Sequence, residues 1–222
     1  MIECAVWWAE PLPNESRYLT FLDEPERGRH QAYRREIDQR RFLTGRVLAK
    51  TVLGDRLGRS PETIRFDATC ADCGKPHGKP RLAGTEFSIS HSGDRIGLAV
   101  TSAPVGLDVE TDTRRADDPL IEYALNETER EALTGLSAEE KVTAFFQYWT
   151  RKEALMKATG QGLKIPLHSI TLIDGRLAAS SDAALDPATT RLADLTPGEG
   201  YRAAVAVLTT QEIEVREQLW PG

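Results

Sequence analysis

Asp108 and Glu110 stand two residues apart in the run GLDVE. On a β-strand that spacing sends both carboxylates from one face, because side chains alternate. Leu107 and Val109 then face the other way, and Gly106 leaves room for a neighbouring backbone. Two like charges so placed repel unless water or a cation lies between them. A third carboxylate belongs with the pair. In FFQYWTRKEALMKATGQGL, residues 145–163, Glu153 falls at helical spacing on the face that carries Val142, Phe146, Trp149 and Met156. An ionised carboxylate on an apolar face is costly unless it is paired or bound to metal. Lys157 follows one turn later, in the order of an ordinary surface ion pair worth about 0.2–0.5 kcal/mol. The apolar stripe argues instead for an inward Glu153, compensated by metal on one side and lysine on the other. Three oxygen ligands without His or Cys favour Mg²⁺, with Mn²⁺ as the near alternative, and Mg²⁺ commonly shares its sphere with substrate phosphates.

Two further stretches offer anion chemistry. SISHSGD places Ser90, His91, Ser92 and Gly93 at a strand end, where hydroxyls, an imidazole and turn amides can cradle phosphate. A plain hairpin turn describes the same residues equally well. No G-x-S-x-G elbow accompanies them, which weighs against a Ser/His/Asp hydrolase. In CADCGKPHGKPRL, Cys70 and Cys73 have the C-x₂-C spacing of half a zinc site, with His77 close by. A structural zinc site needs four ligands, and Cys4 is distant. The stretch is therefore read through Lys75, Lys79 and Arg81 as contacts to a nucleotide phosphate, a solvated basic loop being the alternative. Seven arginines crowd residues 27–46 against Glu36 and Asp38, which suggests a specific anionic ligand.

These groups need elements to position them. IECAVWWA reads as a first strand, stopped by Pro11 and Pro13. A helical section from about Pro25 to Leu53 follows, broken by Gly54 and Gly58. TIRFDAT is expected as a short strand, and EFSIS and RIGLAVTS as a hairpin turning at Gly93 and Asp94. VGLDVE is another strand. Helices are expected near 120–125 and 127–133, with Asn126 as N-cap of the second, and over Ala138–Thr159, ended by Gly160. Strands near Ile170–Ile173 and Tyr201–Leu208 close the pattern. Strand, helix, strands, then the same again predicts an α+β chain of two similar halves, residues 1–104 and 105–222.

The chain has 222 residues, 40% hydrophobic and 28% charged, an ordinary globular composition. A net charge of −6 argues against a general nucleic-acid binder. Three cysteines, with no signal-peptide pattern and no apolar run of membrane-spanning length, fit a soluble cytoplasmic protein.

The ordered set GLDVE (106–110) and WTRKEALMK (149–157), with GKPRL and SISHS upstream, resembles the 4′-phosphopantetheinyl transferases of the monomeric, surfactin-synthetase-activating type. The resemblance implies a pseudo-dimer with coenzyme A in the cleft between its halves. It implies Asp108, Glu110 and Glu153 as Mg²⁺ ligands, and Ser90 and His91 as phosphate contacts, His91 to the 3′-phosphate. Lys79, Pro80 and Arg81 would lie along the adenosine, Lys157 and to a lesser degree Lys152 on phosphate, and Arg41 and Arg46 on the 3′-phosphate. The implied reaction moves phosphopantetheine from coenzyme A to a serine of an acyl or peptidyl carrier protein, as in polyketide and nonribosomal-peptide antibiotic assembly. Adenosine 3′,5′-bisphosphate leaves. Glu153 is the base for the serine hydroxyl, with Asp108 and Lys157 also catalytic. Arg114 and Arg115 would steer an acidic carrier. The rivals are a coenzyme A- or nucleotide-binding module, a metal-dependent phosphohydrolase and a zinc-dependent interaction protein.

Overall fold

β1 (Ile2–Ala9) opens the chain and is mostly buried, and Pro11 and Pro13, lacking amide donors, prevent its extension. The computed structural model describes residues 1–70, 72–113, 116–161 and 164–222, so Arg114 and Arg115 lie outside the described residues. Three helices follow: α1 (Ser16–Leu19), α2 (Glu24–Ala32) and α3 (Glu36–Leu57). The single helix expected from Pro25 is interrupted because Tyr33 and Arg35 adopt extended dihedrals. Gly54 does not end α3. It lies within the helix, where an added Cβ would meet the Arg59 carbonyl at 2.7 Å. Gly58, at φ 61°, is the left-handed cap. TIRFDAT is not a strand: it forms one bridge, Asp67 to Arg81, while Phe66 packs on Phe87 at 5.1 Å. β2 (Glu86–Ser92) and β3 (Arg95–Thr101) are the expected hairpin, with Gly93 at φ 53° in the turn.

β4 (Val105–Thr111) begins the second half. α4 (Asp118–Ala124) and α5 (Glu127–Glu131) precede α6 (Ala138–Thr159), whose bounds are those read from the sequence. Capping boxes at Asn126 and Ser137 start the last two, and Gly160 at φ 71° ends α6. β5 (Ile170–Ile173) pairs with β6 (Arg176–Ser180). β7 (Thr190–Leu195), β8 (Tyr201–Leu208) and β9 (Ile213–Leu219) complete the chain; β6, β7 and β9 were not expected.

The strands form sheets ordered β2-β3-β1-β9 and β4-β8-β7, beside the β5-β6 pair. β1 pairs antiparallel with β3 and β4 pairs antiparallel with β8, and a 22-residue helix stands between the members of each pair in sequence. The likeness extends to buried charge. Lys50, fifteenth residue of α3, binds Glu26, the capping-box glutamate of α2. Lys152, fifteenth residue of α6, binds Glu129, the capping-box glutamate of α5. β9 departs from this plan by pairing parallel with β1 of the opposite half.

Serine side chains join the two larger sheets. Ser88, Ser90 and Ser92 alternate along β2, and their hydroxyls accept the amide N–H groups of Leu107, Val109 and Thr111 of β4 at 3.0–3.3 Å.

Candidate active site

The site forms where β4 crosses α6. Gly106 makes the contact possible, since a Cβ there would stand 1.9 Å from the Ala154 carbonyl and 2.4 Å from the Ala158 amide. With the two backbones this close, Asp108 and Glu110 on β4 meet Glu153 and Lys157 on α6. All four line one cavity of about 540 Å³, together with Ser90, His91, Ile89, Tyr123 and Trp149.

The carboxylates are oriented from β2. The Ser90 hydroxyl donates to Asp108 Oδ1 at 3.0 Å and the Ser92 hydroxyl donates to Glu110 Oε2 at 2.7 Å. Lys157 Nζ donates to Asp108 Oδ1 at 2.6 Å and to the Ser90 hydroxyl at 3.0 Å. Ser90 thus has its oxygen engaged by Asp108, Val109 and Lys157, so it serves here to hold Asp108 rather than to face phosphate with a free hydroxyl. Asp108 Oδ2 is buried and has no hydrogen-bond partner among the described residues. Such an oxygen is costly to leave alone.

The electrostatics follow from crowding. Burial pushes the Asp108 carboxyl above its ordinary value, against the pull of Lys157 and Ser90. Glu153 is pushed from 4.5 up to about 7, first by burial and then by the charge of Asp108, with Lys157 acting in the opposite sense. Loss of hydration, then Lys157 and Arg41, drive His91 toward its neutral form; its ring is exposed at the cavity rim, where solvent weakens all three effects. The donor set fits a hard divalent cation: three carboxylates line the cavity, and one contributes an unpartnered buried oxygen.

A smaller cavity of about 120 Å³ adjoins the first through Ile89 and His91 and is lined by Arg29, Tyr33, Arg41, Arg46 and Pro80. Arg41 spends Nε on the Gly93 carbonyl at 2.6 Å and Nη1 on Asp38 at 2.8 Å. Arg46 is buried, 3.1 Å from Glu26, and lies over the Phe42 ring. Arg29 and Tyr33 were not singled out in the sequence, although Arg29 belongs to its basic run. Tyr123, Trp149 and Ile89 were not assigned to the site either; Trp149 shares the helix face of Glu153, which was the available signal.

Lys152, Lys79, Arg81 and Lys75 lie elsewhere, whereas Pro80 lines the annex as well. Lys152 is corrected outright: it is fully buried, bound to Glu129 and to the carbonyls of Ala124 and Leu167. It lines neither the main cavity nor the annex. Lys79 donates its amine to the carbonyls of Val105 and Lys157 at 2.7 and 3.0 Å, and burial pushes it down to about 8. Together with Pro80 and Arg81 it borders a separate cavity of about 700 Å³ at the end of α6. Lys75 is exposed and lines none of these three cavities.

Comparison with known proteins points one way. The sequence profile of the 4′-phosphopantetheinyl transferase superfamily matches residues 104–206. The 4′-phosphopantetheinyl transferase HetI of Nostoc sp. is 32% identical over 209 residues, spanning 90% of this chain and 86% of its own. The transferase Sfp of Bacillus subtilis is 28% identical over 205 residues, spanning 90% and 89%. A Thermotoga maritima holo-[acyl-carrier-protein] synthase structure overlaps 49% of this chain and 64% of its own, at 19% identity and a TM-score of 0.38.

Proposed function

The chain belongs to the 4′-phosphopantetheinyl transferase superfamily and is an enzyme of that class, and we propose that it moves phosphopantetheine from coenzyme A to a serine of an apo acyl or peptidyl carrier protein. The observation that carries this reading is one cavity lined by Asp108, Glu110, Glu153 and Lys157, with a cationic annex beside it.

In this reading the annex takes the 3′-phosphate. Arg29, Arg41 and Arg46 supply fixed positive charge, and His91 gains a proton as the anion arrives. Lys157, anchored on Asp108, faces the diphosphate. Asp108, Glu110 and Glu153 would hold Mg²⁺, or Mn²⁺, which supplies neutralisation of the diphosphate charge. Glu153 accepts the serine proton. The serine oxygen forms the new bond to phosphorus as the bond to the departing adenosine 3′,5′-bisphosphate breaks. Trp149, Tyr123 and Ile89 give the pantetheine arm an apolar wall.

The proposal divides the work between residues 1–104, which take the adenosine end, and residues 105–222, which hold the carboxylates. It treats them as related halves of a monomeric pseudo-dimer. The repeated strand order and the matched Lys50–Glu26 and Lys152–Glu129 pairs support that relation. Three free cysteines suit the cytoplasm.

The test is the intact mass of an apo carrier protein incubated with the enzyme, coenzyme A and Mg²⁺. A gain of one phosphopantetheine, abolished by EDTA, is expected. Hydrolysis of coenzyme A with no gain on acyl or peptidyl carriers would defeat the transfer reading.

A further inference from the structure

The loop between α3 and β2 holds chemistry that the cleft does not use. The ligand atoms of Cys70, Cys73 and His77 all lie within 4.8 Å of one another. Cys73 Sγ and His77 Nε2 are 2.9 Å apart. Tetrahedral zinc, with bonds of about 2.3 Å to sulfur and 2.0 Å to nitrogen, spaces its ligands about 3.5–3.8 Å apart. The three atoms already occupy a volume of that size.

We propose that Cys70, Cys73 and His77 bind a zinc-class divalent cation, with water in the fourth position. Two thiolates and a neutral imidazole cancel the charge of the ion, and soft sulfur ligands select zinc over magnesium. The four-ligand requirement that argued against zinc in the sequence applies to closed structural sites. Three protein ligands and an open position form an equally regular zinc sphere.

The backbone preorganises the ligands. The Cys70 N–H donates to the Lys75 carbonyl at 2.8 Å, and the Gly74 N–H donates to the Cys70 carbonyl at 2.9 Å. Gly74 permits this turn with φ at 70°. At the loop's far end the Gly78 N–H donates to the Ala68 carbonyl at 2.7 Å, and a Cβ on Gly78 would come within 2.9 Å of the Thr69 carbonyl. Asp72 is excluded from the ligand set because its carboxylate pairs with Lys164. Both sulfurs are free thiols.

The site does not depend on the transfer reaction. It clamps the loop two residues before Lys79, whose amine ties β4 to the end of α6.

The test uses the full chain, purified reduced, without a metal-affinity step or chelator, and analysed for zinc by elemental and native mass spectrometry. About one zinc per chain is expected, and cobalt in its place should give a thiolate charge-transfer band with tetrahedral d–d absorption. Cys70→Ser/Cys73→Ser should lose both signals, and His77→Ala should lower the zinc retained per chain, with circular dichroism reporting that the variants fold. Zinc retained undiminished in the double cysteine variant would place it on the carboxylates and overturn the proposal. So would reduced chain that takes up no zinc, or a Cys70–Cys73 disulfide as the form isolated from cells.

Discussion

Glu153 is the residue whose state decides most. Its carboxyl is raised from 4.5 to about 7, so at neutral pH it stands ready to take a proton. Glu153→Gln removes that capacity, and with it one of the proposed metal-holding carboxylates, while keeping the shape. The expected loss in kcat is about 100- to 10,000-fold, with near-native circular dichroism; full turnover in the variant would reject Glu153 as base. Stability gives an independent reading. A group whose folded value lies above its unfolded one stabilises fully below about pH 4.5, and that contribution is lost as pH rises through about 7. In EDTA at pH 8 the parent therefore carries an unfavourable ionised carboxylate that Glu153→Gln lacks. The variant should be more stable by about 1–3 kcal/mol in denaturant melts. Added Mg²⁺ should close the gap by stabilising the parent. A variant less stable than its parent in EDTA would contradict the placement of Glu153 in a buried position beside the Asp108 charge.

At the scale of elements, α6 presents two faces with two jobs. Glu153 and Lys157 line the cavity, whereas Lys152, about 100° around the helix from Glu153, enters the core and binds Glu129. Lys152→Met leaves the Glu129 carboxylate buried without its cation. It should cost about 3–5 kcal/mol, and Lys152→Met/Glu129→Leu should recover most of that. Lys157→Ala should lower turnover and also destabilise, because it leaves the buried Asp108 carboxylate without its cation. Normal stability combined with lost activity in Lys152→Met would return Lys152 to the active site. Sequence reading failed here because adjacency in a motif says nothing about which face a side chain takes. It succeeded where local signals suffice: Gly160 ends α6 over the expected Ala138–Thr159, Asn126 caps α5, and alternation marks β4. It missed β9, whose alternating IEVREQL lacks a buried face and whose partner lies at the other end of the chain. It also missed the annex, where Arg29 and Tyr33 reach the cleft only through the packing of α2 and α3.

At the scale of the molecule, one strand crosses between halves. β9 lies parallel to β1 through the pairs from Ile2–Ile213 to Trp8–Leu219, and Glu217 accepts the Trp8 indole N–H at 2.8 Å. Deleting residues 209–222 would bare the hydrogen-bonding edge of β1, a template for association between chains. The truncated protein should partition into the insoluble fraction; recovery as a soluble monomer with parental melting would show that β9 is dispensable. The same strand sets an order of events during translation. β1 is made long before its parallel neighbour β9, so the first sheet stays incomplete until residues 213–219 have cleared the ribosome. The second sheet needs only residues 105–208. This chain therefore finishes its later-made half first, inverting the N-terminal-first sequence usual for vectorial synthesis.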